Sequence, residues 1–425
     1  MLFLHFSVAY SQTIKTDVLV IGGSPSGVAA AIQSARSKVK TILVEQATQL
    51  CPGMADATTV TLNADRTLPS GIWGEFRKRV MEHYKKTIGY DTTYNAPLKF
   101  EQQTGAAVLS AIADTVKNLD IKLNASFTSI KKDNDRWEVI ITQNGKTETI
   151  KPRVVIDATE TGEVAAKAGA NYTSFASGEN KSSSNYYRTT IAMGDVSPPP
   201  HDNIDAPNYN YPPYPNYCVP VKAIVAKGVT NLIITQKIFK INGDMEYLPA
   251  QLTLGQGAGV TAAYCAFFKT TTANLKVRAI QVELLDFKGY LLPFTDISAD
   301  PYWRSIQQVC ATGMLKGKQR IIDGHPQFLF MPDSIVTTAE VKPVLTEIYT
   351  RAFLWFNMAK PGKQFIVGNL LSFISELTLT DPDNLQRKIE KEWSAQYKFR
   401  SAFDMEHPIP YRWLDTAPGG ASCGR

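Results

Sequence analysis

The chain has 425 residues, enough for two or three cores at roughly 150 residues each. With 44% hydrophobic and 20% charged residues it has a globular composition, and no apolar run approaches the ~20 residues that span a bilayer, so an integral helical membrane protein is excluded. The net charge of +6 is scattered rather than gathered with aromatics, which argues against nucleic-acid binding, and the five cysteines (Cys51, Cys218, Cys265, Cys310, Cys423) contain no CxxC pair, which argues against zinc.

At the N-terminus, apolar Leu2–Val8 precedes Ala9-Tyr10-Ser11, a small-x-small pattern of the kind signal peptidase cuts. Residues 1–11 read as a leader, giving a periplasmic or secreted protein; a frayed apolar terminus is the alternative. Asp17–Ile21 is a continuous apolar run ended by Gly22-Gly23, expected to be a strand buried on both faces. An Ala-rich helix follows over Val28–Ser37, then a strand over Thr41–Val44, completing a βαβ unit.

Helices are expected over Leu68–Tyr84 and Thr104–Val116, and a strand over Ile121–Leu123. Phe127–Lys131, Trp137–Thr142 and Glu148–Lys151 alternate between turn signals as a meander. Val154–Thr159 reads as a second buried parallel strand. Residues 172–217, rich in Ser, Pro and Tyr, read as an irregular segment covering a cleft; a short strand over Asn231–Ile234 and a helix over Leu252–Phe268 follow. The sequence shows no internal repeat.

The expected fold class is α/β: a nucleotide-binding, Rossmann-like domain with a parallel sheet and a β-meander over 12–275, with a cap at about 172–230. A helical module over 276–360 and a helical extension over 361–425 complete it. The turn Gly22-Gly23-Ser24-Pro25-Ser26-Gly27 sits where a pyrophosphate meets a helix N-terminus, and Glu45, followed by Gln46, ends the next strand where an acid accepts from a ribose 2′-OH. Alone, this unit allows FAD, NAD or an empty turn.

Val154–Ala170, containing Ala158, Thr159 and Gly162, resembles the second FAD motif of the FAD-dependent oxidoreductases with a glutathione-reductase-like fold. Leu254–Ala263, containing Gly255, Gln256, Gly257 and Ala258, is similar to their third motif, a small-residue helix whose N-terminus points at the flavin. Gly53-Met54 resembles the turn that passes along the isoalloxazine. The resemblance implies FAD as cofactor and hydride transfer on a small-molecule or glycan-derived substrate.

Leu68–Phe76 and Phe287–Phe294 narrow the likeness to a bacterial subgroup often labelled xanthan lyase, so polysaccharide lyase activity and a non-catalytic flavin-binding envelope protein stand as alternatives. Cys51 reads as a small core residue or a flavin-facing thiol. Glu246 and Tyr247 read as base and proton donor, or as a surface turn. No metal site is expected. Segments from Phe294 to Glu340 resemble a surface-layer-homology module, which implies a cell-envelope polymer as partner, and the stretch from Pro361 reads as a degenerate second copy. Thr337 and Glu340 have capping-box spacing.

Overall fold

A computed structural model describes residues 12–62, 68–93, 96–171, 187–193, 218–236, 248–322, 325–395 and 401–414. The expected leader, most of the cap and the Glu246–Tyr247 pair lie outside them. The chain divides into two units, residues 1–179 with 190–291, and residues 180–189 with 292–425.

The first unit is built on a five-stranded, wholly parallel sheet in the order Leu232–Ile234, Val154–Asp157, Val18–Ile21, Thr41–Val44, Leu119–Lys122. The Val18–Ile21, Thr41–Val44 and Val154–Asp157 strands are buried at every residue, which is why their sequences run apolar rather than alternating. Register pairs Ile21 with Val44 on one side and with Asp157 on the other. Gly22, Glu45 and Ala158, each the next residue, therefore gather at one sheet edge. The chain leaves the central strand first to one side and later to the other, so this edge is the topological switch point where open α/β sheets bind ligands.

A second sheet carries the meander, Ala125–Asp133, Arg136–Gln143 and Lys146–Lys151 pairing antiparallel. Gln12–Lys15 adds a parallel edge strand that sequence reading missed. The Pro25–Arg36 helix packs along the long Leu248–Phe267 helix, Ser34 Oγ donating to the Gly259 carbonyl at 3.1 Å. The first unit extends to Leu291. The Val277–Asp286 helix buries Ile280, Leu284 and Leu285, and the Gln281 amide donates to the Thr190 carbonyl at 2.9 Å, tying it to the first unit.

The second unit spans both sides of residue 360. Three short extended segments join each other in a closed ring of backbone hydrogen bonds. Val336 N donates to Ile409 O at 2.8 Å, Ile409 N to Phe365 O at 3.0 Å, and Phe365 N to Val336 O at 2.9 Å. Two residues outward the pattern recurs: Thr338 N to Lys363 O at 3.0 Å, Val367 N to His407 O at 3.1 Å, and Tyr411 N to Ser334 O at 2.8 Å. Each segment then enters a helix, Thr338–Ile348, Val367–Thr378 or Tyr411–Leu414. This is an internal threefold repeat where only a degenerate second copy from Pro361 was expected, and its third member binds residues beyond 400 into the same core as Val336.

Candidate functional site

The switch-point edge is assembled by contacts between residues far apart in sequence. Gly22 has φ +104°, and a Cβ there would lie 2.5 Å from the Ala158 carbonyl, so only glycine lets the first turn pass the second strand. Ser24 is the N-cap of the Pro25–Arg36 helix, with Pro25 inside its first turn. Its Oγ accepts from Gly27 N at 3.3 Å and donates to Ala158 O at 3.1 Å. Ser24 thus turns its side chain into the helix cap and toward the neighbouring strand. Ser26 Oγ donates to Thr235 Oγ1 at 2.9 Å, and Thr235 N to Asp157 O at 3.0 Å, linking the start of this helix to the ends of the Leu232–Ile234 and Val154–Asp157 strands.

Glu45 is buried at the end of its strand. Oε2 accepts from Gly23 N at 2.5 Å and Oε1 from Ala47 N at 2.7 Å, which fixes the carboxylate while each oxygen keeps a further lone pair for a ribose hydroxyl. Gln46 beside it is exposed. Opposite, Asp157 Oδ1 accepts from Thr159 N at 3.0 Å and Thr159 Oγ1 at 2.6 Å, and Oδ2 from Ala165 N at 2.8 Å. Thr159 Oγ1 accepts in turn from Gly162 N at 3.1 Å, so Ala158, Thr159 and Gly162 form one rigid return turn. Burial pushes the Asp157 carboxyl above its ordinary range, against the pull of those hydrogen bonds. Sequence reading placed Asp157 on the strand without a role; an acid closing an apolar buried strand was the available signal.

Cys51 N donates to Gly23 O at 2.7 Å, bringing the Pro52–Met54 turn beside the nucleotide turn. Met54 is buried and Gly53 has open space over its Cα. The Cys51 thiol is fully buried, and burial together with the Glu45 charge pushes its pKa far up. It is held as a neutral thiol, which fits the core reading rather than a reactive one.

The third motif requires a correction. Gly255, Gln256, Gly257 and Ala258 were expected at a helix N-terminus, but the helix begins at Leu248, with Pro249 in its first turn, so all four lie in its interior with intrahelical N–H groups. The small residues serve packing. A Cβ on Gly255 would overlap the Ser26 carbonyl, and one on Gly259 would lie 2.5 Å from the Ala30 carbonyl, so this face lets the two helices approach to backbone contact.

Gln256 is used by protein groups. Its Oε1 accepts from Ile72 N at 3.2 Å, and its Nε2 donates to Gln33 Oε1 at 3.0 Å and more weakly to Phe287 O at 3.4 Å. Gly71 N donates to Lys288 O at 2.9 Å, and Ser70 Oγ accepts from Tyr290 N at 2.8 Å. Residues 70–72 and 287–290, from the two subgroup segments, therefore meet around Gln256. Among the described residues no cluster of three or more His, Cys, Asp and Glu could hold a metal, and no helix is long and apolar enough to cross a membrane.

Residues 17–185 match the family model described as FAD dependent oxidoreductase. That stretch supplies the turn at 22–27, Glu45 and the return turn at 158–162. The cofactor of the first unit is accordingly FAD, on a Rossmann-like α/β fold. The residues fit the group: a glycine turn opening a helix, an acid at the next strand end and a second turn closing from the other side.

No curated protein matches the chain. Solved structures that resemble it include p-nitrophenol 4-monooxygenase PnpA from Pseudomonas putida DLL-E4, at 17% identity and TM-score 0.28 over 38% of this chain and 44% of that one. L-proline dehydrogenase from P. horikoshii shows 16% identity and TM-score 0.23 over 37% of this chain and 25% of that one. THI4 from Thermovibrio ammonificans shows 12% identity and TM-score 0.35 over 59% of this chain and 89% of that one. The chain spans less than half the length of the first two.

Proposed function

We propose that this chain is an exported FAD-dependent oxidoreductase that moves hydride to or from a small-molecule or glycan-derived substrate. The observation that carries the reading is the convergence at one sheet edge of the Gly22–Gly27 turn, the Glu45 carboxylate and the Ala158–Thr159 turn, through parallel register around Val18–Ile21. Bound flavin would supply the hydride chemistry. The chain's own part is to bind and orient. The first turn of the Pro25–Arg36 helix presents its positive end to the pyrophosphate, and Glu45 accepts from ribose hydroxyls, which selects against a 2′-phosphate by charge. Glu246 and Tyr247 are the proposed proton-handling pair.

The second unit is the proposed surface-layer-homology part, with an envelope polymer as its partner. What supports this is the Thr337 capping box, Glu340 N donating to Thr337 Oγ1 and Thr337 N to Glu340 Oε2, repeated in part where Ile366 N donates to Asn369 Oδ1 at 3.2 Å.

Anaerobic titration of the FAD-loaded chain tests the reading. Bleaching of the flavin band by a substrate, and by dithionite, is expected. A bound flavin that no reductant bleaches would favour the non-catalytic envelope protein, and unsaturated sugar products released from a polysaccharide would favour the lyase.

A further inference from the structure

The second unit leaves one side of a helix bare. In Ala352–Ala359, Trp355 and Phe356 are buried, Trp355 meeting Phe365 and Phe373 edge-on, whereas Phe353, Leu354 and Met358 are 57%, 59% and 70% exposed. Leu354 and Met358 stand one turn apart, and Phe353 lies across the exposed Asn357 from them, so of the exposed residues 353, 354, 357 and 358 three are large and apolar. Exposed large side chains gathered on one short helix mark an interaction surface, where scattered ones would not.

Cations stand at both ends of this helix. Arg351 caps the helix at its start and Lys360 at its end, Lys363 follows, and the Lys342 Nζ lies 5.6 Å from the Phe356 ring centroid. All four cations are exposed. Glu347, the acid in the preceding turn, is engaged by Arg188 at 2.9 Å.

From this arrangement we infer that the Ala352–Ala359 helix docks the protein on an anionic phospholipid surface. The helix would lie in the interface plane with Phe353, Leu354 and Met358 among the acyl chains and Arg351, Lys360 and Lys363 at the headgroups. An apolar face bordered by cations matches both layers of such a surface. A second copy is the poorer partner, because a twofold pairing of this face sets its cationic rim against itself.

The test is co-sedimentation of the full chain with phosphatidylcholine vesicles, with and without phosphatidylglycerol. Partitioning at least about tenfold stronger onto the anionic vesicles is expected, falling with added salt. Phe353→Ser with Met358→Ser, and separately Lys360→Glu with Lys363→Glu, should each weaken it by roughly tenfold or more, with far-UV dichroism unchanged because all four side chains are exposed. Equal partitioning onto both vesicle types, or double variants that bind like the parent, would overturn the inference. So would lipid-free self-association abolished by the Phe353→Ser, Met358→Ser pair, which would assign the face to a second copy.

Discussion

At the scale of single residues, the nucleotide edge separates groups that shape the turn from groups that face the cofactor. Gly22 is of the first kind: Gly22→Ala puts a methyl group into the Ala158 carbonyl at a left-handed φ, and the expected outcome is loss of FAD retention through purification. Glu45 is of the second kind. Glu45→Ala removes charged acceptors worth roughly 1.5–3 kcal/mol each, so FAD affinity measured by fluorescence quenching should fall by about ten- to a hundredfold. Ser24→Ala should behave differently, costing about 1 kcal/mol of stability in denaturant melts as a lost N-cap while FAD stays bound. Cys51 should stay unlabelled by iodoacetamide in the native protein at pH 8 and react once unfolded, since burial holds its thiol protonated.

Among the elements, the legible ones advertise their burial directly. Val18–Ile21, Thr41–Val44 and Val154–Asp157 are uninterrupted apolar runs, and the meander alternates, so both sheets can be read from local pattern. The long helix was legible as a helix but its purpose was not. A Gly-x-Gly-x-Gly run looks the same whether its glycines admit a cofactor or a neighbouring backbone, and only the Pro25–Arg36 helix lying against Gly255 and Gly259 decides for the backbone. Gly255→Ala should therefore act as overpacking, lowering unfolding free energy by about 1–3 kcal/mol in a denaturant titration.

The threefold ring was not legible for another reason. Val336, Phe365 and Ile409 occupy equivalent positions at unequal spacings, and their flanking residues share a role in starting helices without sharing identity. One capping residue there also carries a pH signature. Burial pushes the Glu340 carboxyl up, but bonds from Tyr411 and Thr337, with Lys318 nearby, outweigh this and hold it below the ordinary 4.5. A depressed folded pKa stabilises above 4.5 and is lost as pH falls through the folded value. The second unit should accordingly lose part of its stability on acidification below 4.5, and Thr337→Ala should flatten that dependence in dichroism-monitored melts.

For the whole molecule, the two units give two separable sets of consequences. The FAD match and the nucleotide edge belong to the first unit, whereas the closed ring and the bare helix belong to the second. Ile409→Asp places a charge in the centre of the ring, at a side chain 1% exposed, and should expose the second unit to limited proteolysis beyond residue 292 while a flavin-bearing N-terminal fragment persists. The most direct measurement is the visible spectrum of the purified full chain after incubation with FAD and removal of the excess. Retention of the flavin bands near stoichiometry, lost in Glu45→Ala, is the expected result. A colourless chain that also fails to quench added FAD would contradict the assignment of the Gly22, Glu45 and Ala158 edge as a flavin site.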